Sequence, residues 1–250
     1  MKSLLEYMED LTEAQTMEEL WSFHLSEMAH YGFGKLLYGF TRFRTANSFG
    51  DQQDFLLLTN HDPAYTNRFI GDGLYFHAPM VKWAAENVGA CSWSWMRNNA
   101  DAFTKSEREV VEFNRKMGVV AGYSISFKDI SLRAKGAIGL SAAPGVTQED
   151  LDATWAEHGR QIVQMNNAAH LKIISLPYTG TRKSLTQRQR EALEWVGDGK
   201  KTQDIAQIMG LTPATVEKHL RLAREALDVE TTAQAILKAS FQNQIFVLDS

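Results

Sequence analysis

The feature that most constrains this chain is a tight turn near its end, with the sequence GLTPAT at positions 210–215. Gly210 can take the left-handed conformation that ends a helix. Thr212 is a natural N-cap, and Pro213 fits the first position of a following helix. Two short helices joined by such a turn have the dimensions of a helix-turn-helix, so the sequence predicts this motif.

Helix signals continue on both sides of the turn. Thr202 is expected to cap the helix before it, and apolar residues at helical spacing should hold the two helices together. Helices are expected at 185–196, 203–209, 213–227 and 231–241. The apolar contacts are expected from Ile205, Ala206, Met209, Leu211, Val216 and Leu220. The chain from residue 185 onward is therefore expected to form an all-α domain.

Charge is unevenly distributed along the chain. The whole chain has a formal net charge of -4 at pH 7, which by itself does not suggest nucleic-acid binding. Residues 1–180 contain 16 Lys and Arg against 21 Asp and Glu, whereas residues 182–224 contain nine basic and five acidic side chains. A local basic excess is the electrostatic footprint of a DNA-binding module. A helical bundle with solvated charged faces would show the same excess, and this alternative stays open here.

The segment at 184–229 resembles the C-terminal domain of LuxR-type transcription factors. The resemblance rests on the opening Leu-Thr, a Gly-Lys before the second helix, the Ile-Ala within it, and Thr-Val-x-x-His-Leu in the third helix. Gln189 departs from the family, which usually has Glu after Arg here. The resemblance implies a homodimer that binds an operator in double-stranded DNA and pairs through the helix at 231–241.

The same resemblance implies which side chains contact DNA. Lys and Arg neutralise phosphates, and Arg can also bind a guanine edge through two hydrogen bonds. Polar residues of the third helix would lie in the groove, and two further residues would lie nearer the phosphate backbone. The groove residues are Thr215, Lys218, His219 and Arg221, and the backbone residues are Lys201 and Thr212.

The first 174 residues mix helical and strand periodicity. Capping boxes, such as Thr16 with Glu19 and Thr104 with Glu107, predict helix starts. Helices are expected within 4–31, near 63, and at 79–86, 104–116 and 147–173, with strands at 35–43, 54–60, 91–96, 122–127 and 137–143. This order predicts an α+β chain, with an N-terminal α/β/α sandwich on a mainly antiparallel sheet followed by the all-α helix-turn-helix domain.

The domain boundaries are set by a change in composition. Residues 175–184, SLPYTGTRKS, hold a cluster of Pro, Gly, Ser and Thr between two strongly helical stretches. Such a segment is typical of a linker. We therefore expect one domain at 1–174, a linker at 175–184 and a DNA-binding domain at 185–250.

The N-terminal domain resembles the autoinducer-binding domain of LuxR-type quorum-sensing regulators. The similar segment begins at Asn60, its spacing from Pro63 through Trp93 has no gap, and Gly118 and Gly122 follow. It implies a ligand-sensing pocket for a small-molecule signal, an acyl-homoserine lactone or a related apolar ligand, with no metal and no other cofactor. The implied ligand-binding residues are His61, Tyr65, Phe69, Ala78, Pro79, Trp93 and Ser141.

Three of these positions carry residues that are unusual for the family. Tyr65 stands where Trp is usual, Phe69 where Tyr is usual, and Ala78 where Asp nearly always occurs. The family's Asp accepts a hydrogen bond from the ligand amide, whereas Ala78 can accept none. The lost bond and the unpaired ligand group each cost roughly 1.5 to 3 kcal/mol, so the usual lactone should bind roughly tens-fold to thousands-fold worse. The pocket is therefore atypical, which suggests a solo or orphan member.

Three interpretations of the pocket stay open. It can bind a different signal, less polar or without a lactone; it can still accept some acyl-homoserine lactone; or its own side chains can fill it. In the last case the regulator would act without a ligand, and the aromatic residues would be ordinary core. Those aromatic residues are Phe69, Tyr75, Phe76, Trp83, Trp93 and Trp95.

The sequence argues against an enzyme and predicts no catalytic residue. The seven His residues are scattered, and there is no metal-ligand spacing, Gly-rich phosphate loop or nucleophile elbow. His61 beside Asp62, or Cys91 beside Ser92, could be assembled into an active site, but each is more simply an ordinary loop or strand residue. The single Cys excludes an internal disulfide, and no apolar run approaches the roughly 20 residues of a membrane helix. We expect a cytoplasmic protein without a membrane partner.

Overall fold

The computed structural model describes residues 2–45, 48–129, 131–178 and 184–246. The chain forms two compact units, one of residues 1–50 and 55–174 and the other of residues 51–54 and 175–250. Half of the predicted linker, residues 179–183, lies outside the described residues. No helix of the described chain is both long and apolar enough to cross a lipid bilayer.

The N-terminal unit is built on a five-stranded antiparallel sheet. Its strands are β1 (Phe33–Thr41), β2 (Leu56–Thr59), β3 (Gly89–Ser92), β4 (Gly122–Ser126) and β5 (Lys135–Ala142). The order across the sheet is β2-β1-β5-β4-β3, and every neighbouring pair is antiparallel. The two longest strands, β1 and β5, are therefore paired inside the sheet, where both of their faces can be covered.

Helices cover both faces of this sheet. They are α1 (Leu4–Glu13), α2 (Met17–Ala29), α3 (Pro63–Thr66), α4 (Pro79–Glu86), α5 (Ser94–Asn98), α6 (Lys105–Lys116) and α7 (Gln148–Ile173). On one face α7 packs against β3, β4 and β5 and is flanked by α1 and α2. On the other, α4 packs against β4 and against a helical turn at Leu74–His77, which also contacts α6. The predicted α+β class and α/β/α sandwich are confirmed.

Capping geometry confirms several predicted helix starts. Thr16, Thr104 and Thr147 each accept a hydrogen bond from the backbone N–H three residues later, and the acidic side chain there accepts one from the N-cap N–H. These reciprocal bonds satisfy donors that a helix start otherwise leaves unpaired. They fix the beginnings of α2, α6 and α7.

One predicted strand is partly wrong. The alternation in residues 91–96 predicted a strand, but β3 ends at Ser92 and α5 begins at Ser94. The Ser92 hydroxyl accepts a hydrogen bond from the N–H of Ser94 at 3.2 Å. A serine that binds the backbone nearby offers an alternative to the strand ladder, so the chain turns into a helix instead.

The C-terminal unit contains four α-helices in its described residues. They are α8 (Gln187–Gly197), α9 (Thr202–Met209), α10 (Pro213–Leu227) and α11 (Thr232–Phe241). Gly210 is left-handed, with a φ of 66°, at the end of α9. Thr212 caps α10 by accepting a hydrogen bond from the N–H of Thr215 at 3.2 Å. The predicted turn between the two helices is confirmed.

The predicted cap of the second helix is wrong by one residue. Thr202 is the first residue of α9, and the N-cap is Lys201, whose N–H donates to the Asp204 carboxylate at 3.4 Å. The Thr202 hydroxyl instead donates to the Glu217 carboxylate at 2.9 Å and ties α9 to α10. Because the Thr202 hydroxyl is bound to Glu217, it does not cap the start of α9.

The core of the C-terminal unit holds α9 and α10 together. Of the six apolar contacts predicted there, five are buried, and Leu211 packs against them while partly exposed. The buried five are Ile205, Ala206, Met209, Val216 and Leu220. This packing keeps the two helices of the motif at a fixed angle.

Candidate ligand cavity and DNA interface

The two faces of the central sheet carry side chains of very different size. The face toward α7 presents the large buried side chains Leu36, Tyr38, Ile138 and Leu140. On the opposite face, Gly39 pairs with Ala137, and the larger Leu37 and Leu57 lie only toward one edge of that face. Gly139 lies opposite Ser124 on the neighbouring strand. Because successive side chains alternate between faces, this pattern leaves open space above the second face.

A cavity occupies this space. Its volume is about 170 Å³, roughly ten times the 10–15 Å³ that one water molecule requires. Its floor is the small-residue face of the sheet, and most of its walls come from residues 55–96. The lining side chains are mainly aliphatic and aromatic, with a few polar groups between them. Such a lining is typical of a site for a small, largely apolar molecule.

All seven predicted ligand-binding residues line this cavity. They are His61, Tyr65, Phe69, Ala78, Pro79, Trp93 and Ser141. They lie after β2, in α3 and the helical turn behind it, at the start of α4, just past β3, and on β5. The fold therefore brings together residues that are distant in the sequence.

Tyr65 lies in the middle of an aromatic stack. Its ring centroid is 4.5 Å from that of His61 and 5.1 Å from that of Phe69, with interplanar angles of 25° and 15°. Phe113 of α6 stacks on the same ring at 5.6 Å. Burial raises the pKa of the Tyr65 hydroxyl above its usual value. The hydroxyl therefore stays protonated and can donate a hydrogen bond.

Asn114 is a cavity residue that the sequence analysis missed. The Tyr65 hydroxyl donates a hydrogen bond to Asn114 Oδ1 at 3.2 Å, and Asn114 lines the cavity from α6. Seven of the twelve residues of this helix are charged, so a single amide on it gave no local sign of facing a pocket. Only the three-dimensional contact with Tyr65 shows its place.

His61 is an uncharged polar group of the cavity wall. Burial lowers its pKa to about 4, the positive charge of Lys35 lowers it further, and Asp62 opposes both effects. At neutral pH its imidazole therefore carries one N–H donor and one acceptor nitrogen.

Two serines mark the strand side of the cavity. Ser124 Oγ accepts a hydrogen bond from Trp93 Nε1 at 2.9 Å, which holds the indole against β4. Ser141 on β5 is only 4% exposed. Its hydroxyl has no hydrogen-bond partner among the described residues, so it is a polar group that a ligand could satisfy.

Ala78 forms part of the apolar wall. It lies at the N-cap position of α4, where its methyl group offers no side-chain hydrogen bond. The described residues that line the cavity include neither Asp nor Glu. The cavity thus lacks the strong acceptor that a carboxylate would provide.

The outer face of α10 is polar and accessible. Lys218 and Arg221 are exposed, while Thr215 and His219 are partly buried. The opposite side of the helix packs into the core. Arg221 forms a surface ion pair with Glu225, one turn further on. Such exposed pairs contribute little stability, so a phosphate could replace the carboxylate.

Lys201 and Thr212 lie at the starts of α9 and α10, and both are exposed. Helix starts present unpaired backbone N–H groups, which favour anions such as phosphate. Both residues therefore lie at helix starts that a DNA backbone could approach.

Gln189 keeps the start of α8 intact despite its departure from the family. Its side-chain oxygen accepts a hydrogen bond from the N–H of Thr186 at 2.9 Å. Its own backbone N–H donates to Thr186 Oγ at 3.4 Å. The amide therefore completes a capping box as a carboxylate would.

The chain matches two family models, one for each predicted domain. Residues 16–173 match the autoinducer binding domain, and residues 183–239 match the bacterial regulatory proteins of the luxR family. The chain belongs to the LuxR family of transcriptional regulators. It is a quorum-sensing regulator with an autoinducer-binding domain and a LuxR-family helix-turn-helix, in a family of transcription factors that are not enzymes.

Relatives resemble this LuxR-type regulator along most of its length. The transcriptional activator AnoR of Acinetobacter nosocomialis is 25% identical over 238 residues, which cover 93% of this chain and 96% of AnoR. The quorum sensing-dependent regulator RpaR of Rhodopseudomonas palustris is 29% identical over 164 residues, which cover 64% of this chain and 63% of RpaR. The crystal structure of Escherichia coli SdiA has the same fold, with a TM-score of 0.50, 15% identity and 98% of both chains covered.

Proposed function

We propose that this LuxR-type regulator controls transcription through a small molecule that binds in the N-terminal cavity and is not a standard acyl-homoserine lactone. One observation carries the proposal: Ala78 lines the cavity where the family usually has the Asp that accepts the ligand amide. The ligand acts by binding unequally to states of the protein that differ in DNA affinity.

The volume of the cavity argues against a self-filled pocket. About 170 Å³ remain although Tyr65, Phe69 and Trp93 are already packed around it. This space is partly open to the protein surface and is not filled by the protein's own side chains. Phe76, which the self-filled interpretation needs in the core, is 53% exposed. A ligand in this space would cover the apolar lining and so stabilise the folded unit.

The lining argues against the standard lactone. The amide N–H of an acyl-homoserine lactone would lose its water and find no carboxylate, at a cost of roughly 1 to 3 kcal/mol. Phe69 removes a second hydroxyl that the family usually offers. The pocket therefore favours a less polar ligand.

For the DNA interface, we propose that α10 binds in the major groove. The groove contacts come from Thr215, Lys218, His219 and Arg221, and Lys201 and Thr212 bind the phosphate backbone. The exposure of this face, the cap at Thr212 and the basic excess support the assignment.

We propose that the regulator acts in the cytoplasm as a homodimer that pairs through α11. Ala235 and Ala239 anchor this helix in the core, whereas Leu237 is 52% exposed. An exposed leucine on a short terminal helix suits an isologous contact with a second copy. A dimer would match a two-fold operator.

The test uses the full-length protein with fractionated organic extracts of cells that produce it. We expect one fraction both to raise the melting temperature and to change the affinity for promoter DNA, since binding to the folded state stabilises it. The matched variant is Ala78→Leu, which fills part of the cavity and should lose the thermal shift while staying folded. Normal DNA binding with no thermal shift from any fraction would contradict control by a ligand.

A further inference from the structure

Four residues of the chain between β1 and β2 belong to the C-terminal unit. They are Asp51–Asp54, and the chain on both sides of them belongs to the N-terminal unit. They form a single 3-10 turn, in which the N–H of Asp54 donates to the carbonyl oxygen of Asp51 at 3.0 Å. We call Asp51–Asp54 the shared turn, because one unit contains it and the other continues from both of its ends.

A buried ion pair holds the shared turn to α11. Lys238 Nζ lies 2.7 Å from Asp54 Oδ1, and each side chain is only 8% exposed. The Tyr178 hydroxyl also donates to the carbonyl oxygen of Asp54, at 2.9 Å. Separating a buried ion pair leaves an uncompensated charge, which is strongly unfavourable. The shared turn and α11 are therefore expected to move together.

The chain on either side of the shared turn forms part of the cavity wall. Phe49, two residues before the turn, and Phe55, directly after it, both line the cavity. Their ring centroids lie 6.4 and 6.0 Å from that of Tyr75, another lining residue. The carbonyl oxygen of Phe49 accepts a hydrogen bond from Thr41 Oγ1 at 2.8 Å, which fixes this end to β1. A change in the packing of either ring therefore reaches the turn within one or two peptide units.

The ion pair also bears on the helix that we propose for pairing. Lys238 is buried on α11, and its neighbour Leu237 is 52% exposed. The two residues share one hydrogen-bonded helical backbone, so a helix that is held at Lys238 is also held at Leu237. The strength of the contact to Asp54 thus affects how firmly the proposed pairing surface is presented.

We propose that the shared turn couples the cavity to α11, with Asp54 as a positioning residue. A molecule in the cavity packs against Phe49 and Phe55 and restricts their motion. The turn then holds Lys238, and with it α11, more firmly. This inference rests on the proposed function, to which it adds the route from the cavity to the C-terminal unit.

The test fills the cavity covalently, so it does not depend on the identity of the natural ligand. Ala85 of α4 lines the cavity and is partly exposed, so a thiol at this position is accessible to a reagent. In the full-length protein with Cys91→Ser, Ala85→Cys is converted to an octyl disulfide with octyl methanethiosulfonate. Glu86→Cys, labelled in the same way, is the matched control, because Glu86 is exposed and is not among the described lining residues.

Hydrogen exchange of the α11 amides, followed by mass spectrometry, measures the coupling. The octyl group at position 85 should slow this exchange at least about fivefold, the lower end of typical coupling between two sites. The octyl group at position 86 should leave it unchanged. Intact mass shows whether both positions are labelled to the same extent.

Removing the ion pair should abolish this response. Asp54→Asn combined with Lys238→Met removes both charges, so that neither is left buried without its partner. Lys105→Met combined with Glu109→Gln makes the same chemical change to an exposed ion pair of α6 and should keep the full response. Melting temperatures before labelling show whether each variant is folded.

Unchanged or faster exchange of α11 after labelling at position 85 would overturn the inference, and this measurement needs no ion-pair variant. Equal slowing by the label at position 86, or in the folded variant without the ion pair, would overturn it as well. Each of these results leaves control by a ligand in place through another route. The proposed function fails separately, only if no cell fraction shifts the melting temperature in the experiment above.

Discussion

Ala78 and Ala206 are equally buried, at 3% exposure each, yet their surroundings are opposite. Ala206 lies in a continuous core between α9 and α10, where small side chains let two helices approach closely. Ala78 borders a cavity of about 170 Å³. A low exposed area therefore does not distinguish a packed alanine from one that lines a cavity.

Small residues have different roles in the two units. In the C-terminal unit they bring helices into contact, which fixes the angle of α10 for binding to a rigid surface. In the N-terminal unit, glycine and alanine on one face of the sheet lie beneath helices held away by larger aromatic rings. One unit is suited to present a fixed shape, and the other to enclose a molecule.

Enlarging each alanine to leucine tests the comparison most strongly. Ala206→Leu should destabilise the C-terminal unit by about 1–3 kcal/mol, since the core there has no room. Ala78→Leu should leave the N-terminal unit within about 1 kcal/mol of the wild type, because the added carbons enter the cavity. Hydrogen exchange followed by mass spectrometry measures the two units separately. Equal destabilisation of both units would break the comparison.

Removing a charge from the outer face of α10 tests its role in binding. Arg221→Ala should weaken promoter binding about tenfold and lower the slope of log affinity against log salt by about 0.9, as one phosphate contact would. Arg188→Ala removes the same charge from α8 and should change the affinity much less. Comparable losses in the two variants would show that the effect is one of overall charge. Neither variant should alter the binding of a cavity ligand.

Acid should affect the N-terminal unit through its buried histidines. Burial lowers the pKa of His24 and His170 to about 4, as it does that of His61. Between pH 6.5 and 4 the unfolded chain binds protons at these residues and the folded chain does not, so stability falls as the pH falls. The slope of the unfolding free energy against pH reports how many protons are taken up on unfolding. In denaturant titrations from pH 7 to 5, His24→Gln should lower that number by up to one. Exposed His30→Gln is the matched control, and an equal reduction there would contradict the assignment.

Local backbone chemistry was predictable from the sequence. The capping boxes and the turn at Gly210 depend on residues within three or four positions, so their signals are complete in the sequence. The end of β3 was not predictable in the same way, because alternating Ser and Trp fit both a strand and a helical turn. The start of α9 was missed because Thr202 binds Glu217 on another helix.

The site was predictable only in part. Its seven residues came from resemblance to a family, and the structure brings them to one cavity. Asn114 could not be found this way, since its position matters through a hydrogen bond to Tyr65, 49 residues away. The volume of the cavity depends on how far the covering helices lie from the sheet, and no local sequence pattern predicts that distance.

An electron-density map of the full-length protein, prepared with the extract of its own cells, tests the central claim most directly. Control by a ligand predicts density for a small molecule in the cavity, in contact with the Ala78 methyl group. A cavity closed by rotation of Tyr65, Phe69 or Trp93, with no molecule inside, would contradict it.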